Sequence, residues 1–204
     1  LIVTNGTNFI DGLNGLVIGY YLIILTIIFN LDIVHNFLDI KVQLLNYIIL
    51  LIYLFLFNLS NKLYLGDSGS YLIGVTVGSL LVYIYKEINF ISPFFIVLML
   101  WYPCFENLFS IIRKYRFNLS PLNADNKHLH HLLFYYLNTK FKFPTLFANN
   151  ISSLIINLVN VVFFFIGLNY INNSWIQIIL ITLFIFIYIL SYLTLFKFSS
   201  LEFT

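Results

Sequence analysis

The sequence predicts an all-α, polytopic bundle of transmembrane helices, and three observations lead there. The composition is 61% hydrophobic and 20% aromatic with only 9% charged residues, too little polar surface for a soluble domain of 204 residues. Six apolar stretches reach the roughly 20 residues that a spanning helix needs. Those stretches hold no internal charge apart from Glu106 and no alternation of period two, which sets aside a β-barrel.

The expected spans are about Leu13–Leu31, Val42–Leu59, Ser70–Lys86, Ser92–Ile112, Leu146–Leu168 and Trp175–Phe196. Their many β-branched residues do not oppose helix. In lipid every backbone N–H and C=O must be paired within the segment, which leaves helices and closed barrels as the spanning structures. Residues 1–204 read as one integral-membrane domain. The chain begins at Leu1, with no charged leader and short apolar core ahead of its first polar segment, so an upstream part is expected to be missing.

Lysine and arginine set the orientation. With the segment before Leu13 inside, the inner loops hold Lys62, Arg113, Lys114, Arg116, Lys127, Lys140, Lys142 and Lys197. The outer loops hold only Lys41 and Lys86. That asymmetry follows the positive-inside rule and puts the polar loops in the cytoplasm of a multi-pass plasma-membrane protein. Trp175 and Tyr170 then fall at an outer boundary. A net charge of +2 with no basic cluster argues against a nucleic-acid partner. The single cysteine, Cys104, reads as a small apolar filler.

The same orientation brings three polar, glycine-bearing segments to one membrane face, the arrangement of a site carried on a rigid scaffold. In the first, Asn5, Asn8 and Asp11 recur every three residues, close to one helical face, ahead of Gly12, Asn14 and Gly15. A capped helix entry would explain Asp11 alone. Amides crowded around one carboxylate fit a polar ligand better. In the second, Gly66-Asp67-Ser68-Gly69-Ser70, glycines flank a hard oxygen ligand, and the serines can bind phosphate or cap a helix. Mg²⁺ takes one or two carboxylates and completes its shell with water and substrate phosphates.

The third segment, Ser120 to His131, gathers three of the chain's four histidines within four positions. His128 and His131 would share a helical face, with His130 turned away. No cysteine lies nearby to make a structural zinc site. Imidazoles beside Lys127 suit an anionic substrate. His35, in an outer loop, reads as incidental.

Together these segments resemble the polyprenyl-phosphate N-acetylhexosamine-1-phosphate transferase family. The residues that carry the resemblance are Asn5, Asn8, Asp11, Gly12, Gly15 and Leu16, then Gly66 to Ser70, then His128, His130 and His131, in the family's order. It extends from Asn5 to about Leu133 and includes Pro103, Glu106 and Arg113. The resemblance implies transfer of a HexNAc-1-phosphate from a UDP-sugar to undecaprenyl phosphate with release of UMP, the first membrane step of a cell-envelope polysaccharide. It implies Asp67 as Mg²⁺ ligand and catalytic residue, with Mn²⁺ as a substitute, and Asp11 as a second catalytic residue. Asn5 would contact nucleotide or metal. Asn8, Asn14, Lys127, His128, His130 and His131 would line the substrate pocket. The spaced His-x-His-His is closer to the GlcNAc-1-phosphate branch than to the phospho-MurNAc-pentapeptide translocase, the alternative within enzymes. A transporter and an inactive remnant are the rivals of other classes, and a homodimer is compatible with such a fold.

The sequence departs from the family's pattern in places. Asn14 stands where many members have aspartate, Asn126 where arginine is frequent, and Asn58 lies one residue nearer Asp67 than the family's asparagine. No two adjacent aspartates occur in the chain, so the family's Asp-Asp pair is expected in an earlier inner loop.

Overall fold

The computed structural model describes residues 1–31, 38–88, 90–116, 118 and 127–202. His35 and the histidine loop's Ser120 to Asn126 lie outside the described residues. Among those described there are eight α-helices and no strand. They are α1 (Ile2–Phe9), α2 (Leu16–Phe29), α3 (Leu38–Leu59), α4 (Gly66–Glu87), α5 (Pro93–Arg116), α6 (Leu129–Lys140), α7 (Thr145–Asn169) and α8 (Ser174–Glu202).

Five of these, α3, α4, α5, α7 and α8, are long and apolar enough to cross a membrane. Each has at least 22 residues, about 33 Å at 1.5 Å per residue, against a hydrocarbon core about 30 Å thick. Their outward side chains are large and apolar, among them Leu56, Val82, Val162, Phe165 and Phe186, each more than half exposed. In a soluble protein such a surface would aggregate; against acyl chains it is the expected one.

The first expected span is shorter than its sequence suggested. α2 has 14 residues, about 21 Å, because Gly15 in the left-handed region (φ 77°) starts it late and Asn30 ends it. It compensates by burial. Leu16, Tyr20, Tyr21, Ile24 and Leu25 are fully enclosed, so α2 forms the bundle's axis, packed on α3, α4 and α7.

Several polar groups inside the spans are paired within the bundle, which offsets the cost of burying them in an apolar medium. The Trp101 indole donates to Asn160 Oδ1 at 2.9 Å, and Asn160 Nδ2 donates to the Ile156 carbonyl at 2.8 Å. Gln177, fully buried, donates to the carbonyls of Gly167 and Tyr170 and so closes the end of α7. Pro103 sits inside α5 and has no N–H for the carbonyl of Met99; the Tyr20 hydroxyl donates to that carbonyl instead, at 2.7 Å.

Candidate active site

The polar residues gather at one end of the bundle, on a short helix wedged between two long ones. α1 packs against α4 and α5 through small residues. A Cβ on Gly6 would overlap the Pro103 carbonyl, and one on Gly74 would come within 2.7 Å of Thr7 Oγ1. Glycine at both places lets α1 approach both neighbours closely. Thr7 is tied in as well: its hydroxyl donates to the Val3 carbonyl and meets the Tyr21 hydroxyl.

This wedge carries Asn5 and Asn8, one helical turn apart. Asn8 Nδ2 donates to Asp67 Oδ1 at 2.8 Å and to Ser70 Oγ at 3.2 Å. Ser70 Oγ in turn donates to the Asp67 carbonyl at 3.0 Å. Asp67 stands in the first turn of α4, where unpaired N–H groups favour negative charge. Its side chain is exposed at the end of the bundle, as is Asn5.

Between α1 and α2 the chain turns through residues 10–15. Asp11 does not cap α2, contrary to the simple reading of its position; Gly15 occupies that place with no side-chain cap. The Asp11 carboxyl is held against the bundle, and burial, with the charge of Asp67 adding to it, pushes its pKa up to about 6. The two carboxylates therefore sense each other.

The amides are also shared out differently from the crowding around Asp11 that their spacing suggested. Asn8 serves Asp67. Asn14 is nearly buried: its backbone N–H donates to Asn149 Oδ1 at 2.7 Å and its Nδ2 to Asn61 Oδ1 at 3.1 Å. Asn58 accepts from the Gly15 N–H and donates to the Leu63 carbonyl, while Asn157 Nδ2 donates to the Gly15 carbonyl at 3.1 Å. Asparagines of α3, α7 and the segment after α3 thus latch the turn that carries Asp11.

The histidines close the site from the other side. α6 begins only at Leu129, and His128 precedes it in extended conformation (φ −75°, ψ 151°). The three-residue spacing of His128 and His131 is therefore not a helical one, and His130 is not turned away. The rings form a cluster, with centroids 5.6 Å apart for His128 and His130, 4.2 Å for His130 and His131, and 6.1 Å for His128 and His131. Phe9 of the first segment lies 5.7 Å from the His128 ring. A Cβ on Gly12 would overlap His130 Nε2 and sit 2.7 Å from His131 Cε1. Gly12 is what lets the aspartate turn reach the histidines.

His130 is fully buried and neither ring nitrogen has a hydrogen-bond partner. Its pKa lies well below the usual histidine value because burial, and then His131 and His128, oppose a charge there. A neutral imidazole with two unsatisfied nitrogens is suited to a polar ligand that supplies partners. His128, by contrast, is held from behind. Its Nδ1 is 2.8 Å from Glu106 Oε1, while Tyr188 donates to Glu106 Oε2 at 2.6 Å. Arg113, two turns further along α5, donates to the Lys127 carbonyl at 2.7 Å and so ties down the residue just before His128. Lys127 itself is exposed, with Nζ 5.7 Å from the Phe196 ring.

Tyr188, Asn149 and Asn157 are parts of this assembly outside the sequence motifs, and Glu106 fell within the resemblance with no role assigned to it. Glu106 had a visible signal, as the one charge inside a span, and its buried partners give the physical reason for it.

The donor set can be tested against a divalent cation. Among the described residues no group of three or more His, Cys, Asp or Glu is placed to hold a metal. Two carboxylates, Asp67 and Asp11, do sense each other's charge beside the Asn8 amide. Oxygen donors few in number fit Mg²⁺, which keeps water and takes substrate phosphates, better than zinc, which demands a closed protein shell.

Residues 1–85 match the family model described as glycosyl transferase family 4. The matched stretch contains α1, the aspartate turn and the first turns of α4, and hence Asn5, Asn8, Asp11, Asn14 and Asp67. A probable undecaprenyl-phosphate N-acetylglucosaminyl 1-phosphate transferase of Bacillus subtilis is 33% identical over 138 residues, 64% of this chain and 37% of that protein. A decaprenyl-phosphate N-acetylglucosaminephosphotransferase of Mycolicibacterium smegmatis is 34% identical over 84 residues, 35% of this chain and 21% of that protein. The chain thus spans well under half the length of these relatives. No solved structure matches it significantly.

Proposed function

We propose that this chain supplies part of the site at which a HexNAc-1-phosphate passes from a UDP-sugar to a polyprenyl phosphate, with UMP released. The observation that carries the reading is the convergence of Asp67, Asp11 and Asn8 with the histidine cluster across Gly12. The family-4 match and the relatives' names support it, and those names favour N-acetylglucosamine over a muramoyl-peptide donor.

In the reaction an acceptor phosphate oxygen forms a bond to the sugar-bearing β-phosphorus, and the bond from that phosphorus to the UMP oxygen breaks. UMP leaves with the electron pair. Both reactants are anions, so the site must offset charge and align them in line. Asp67 and Asp11 are the residues that would hold Mg²⁺, and Asn5, one turn before Asn8 on α1, is the further candidate. Mg²⁺ when bound supplies charge neutralisation to the diphosphate and the leaving group. Asn8 keeps the Asp67 carboxylate oriented through Oδ1. Neutral His130 offers a ring N–H to a phosphate or sugar oxygen, and its burial excludes water from that contact.

The acceptor's phosphate lies at the membrane surface, where these polar ends meet it. The Lys and Arg asymmetry supports a cytoplasmic position for that end, the side of the soluble nucleotide sugar. Glu106, a wholly buried carboxylate within a span, is enclosed by His128 and Tyr188 rather than lining a path, which counts against the transporter reading.

In the full-length protein, Asp67→Ala, assayed in membranes with UDP-GlcNAc and polyprenyl phosphate, is expected to abolish Mg²⁺-dependent UMP release while the protein remains inserted. Full retained activity would overturn the assignment of Asp67.

A further inference from the structure

Glu106 is wholly buried in α5, and its polar contacts share one direction. Tyr188 O–H donates to Oε2 at 2.6 Å, and the Leu129 N–H donates to Oε1 at 3.4 Å. With both partners donating, the carboxylate is the acceptor of this small network. The third contact, His128 Nδ1 at 2.8 Å from Oε1, then has the hydrogen on the histidine. An imidazole with its hydrogen on Nδ1 has a lone pair on Nε2, the nitrogen left for a ligand.

The neighbouring ring has no such support. His130 lies parallel to His128 within 13°, is equally enclosed, and has no partner on either nitrogen. Tyr188 comes from α8, far along the chain, and its hydroxyl reaches Oε2 while His128 takes Oε1. α5, α6 and α8 are thus brought together at a single carboxylate.

We propose that Glu106, seated by Tyr188, is a positioning residue that holds His128 in the Nδ1–H tautomer and keeps Nε2 available to the substrate. The role in turnover rests on the transferase reading above; the tautomer does not. Glu106 is fully enclosed, with His128, Leu129 and Tyr188 as its polar partners. It acts through His128, as a carboxylate behind an imidazole fixes ring orientation and proton placement elsewhere.

The alternative is a plain staple between α5 and α6, and Glu106→Gln separates the two. Glutamine keeps the size and one acceptor oxygen but offers an N–H that can face Nδ1 and favour the other tautomer. The protein, labelled with ¹⁵N-histidine in lipid nanodiscs, would be read by the ring-nitrogen shifts, with His128 assigned by its loss in His128→Gln. The parent should show His128 protonated on Nδ1 and bare on Nε2. Glu106→Gln should populate the Nε2–H form and lower kcat for UMP release on the order of tenfold or more, with KM for UDP-GlcNAc little changed. Glu106→Asp, which restores a carboxylate, should recover part of both. A parent His128 protonated on Nε2 would overturn the proposal, as would a Glu106→Gln protein with unaltered tautomer and kcat. Should the full-length parent release no UMP while Glu106→Gln still shifts the tautomer, the transferase reading falls and the hold of Glu106 on His128 stands.

Discussion

Tyr20 and Met99 are joined by a hydrogen bond of 2.7 Å from a phenol on α2 to a backbone carbonyl of α5. The bond exists because Pro103, four residues on, cannot supply the N–H that a helix would normally give that carbonyl. Tyr20→Phe therefore strands a buried acceptor, at a cost of about 1–3 kcal/mol. In a Pro103→Ala background the helix can supply its own N–H, so the same substitution should cost less. Thermal unfolding of the four proteins in one detergent measures the difference, and equal costs in both backgrounds would contradict this account.

Close approach at Gly6 fixes the position of α1. Gly6→Ala would drive a methyl group into the Pro103 carbonyl, which is backbone and cannot rotate aside. Displacement of α1 moves Asn8 away from Asp67, so activity should fall by on the order of a hundredfold, the scale of an ångström-sized misplacement. Gly78→Ala is the comparison on α4: its Cβ would meet only Val3 Cγ1 at 3.6 Å, an ordinary contact. Near-parental UMP release is expected there, and similar losses in both variants would show that packing of α1 is not the cause.

Asp11 carries a signature in pH. Its folded pKa, about 6, lies above the model-peptide value of 3.8, so the folded state holds the proton more tightly than the unfolded one. The contribution of Asp11 is fully present below about pH 4 and is lost as pH rises through 6, where the buried carboxylate ionises beside Asp67. Asp11→Asn mimics the protonated form. In metal-free buffer it should match the parent's melting temperature below pH 4 and exceed it above pH 6. Millimolar Mg²⁺ should narrow the gap at pH 7.5 if Asp11 and Asp67 hold the cation. A gap of equal size at both ends of the pH range would exclude the shift as its source.

Asn8 gives a graded test at Asp67. Asn8→Ala removes the amide that orients Oδ1 and should lower UMP release on the order of tenfold. Asn8→Asp puts a like charge against the same oxygen and should be worse than alanine at low Mg²⁺, with part of the loss recovered as Mg²⁺ rises. An aspartate variant as active as the parent at every Mg²⁺ concentration would remove Asn8 from the site.

The long apolar runs made the five spanning helices legible, since in lipid a run of that length has only one way to satisfy its backbone. The three polar segments were legible as well, because polar and glycine-rich stretches stand out against a hydrophobic chain. Less visible were the partnerships. Spacing put Asn14 beside Asp11, yet Asn14 bonds Asn149, which lies 135 residues away. Spacing also put His128 and His131 on one helical face, yet the helix starts at Leu129. Local periodicity reports a face only where the helix already exists.

The sequence by itself determined that this chain is a helical membrane protein and which polar segments share an end of it, because apolar length and charge asymmetry are properties of the chain alone. Only the tertiary structure decided what those segments do to one another. Gly6 against Pro103, Gly12 against His130 and Glu106 behind His128 are contacts between distant elements, set by close packing rather than by any local preference. At Gly6 and Gly12 the packing leaves no room even for a Cβ, so these contacts fix how the elements meet.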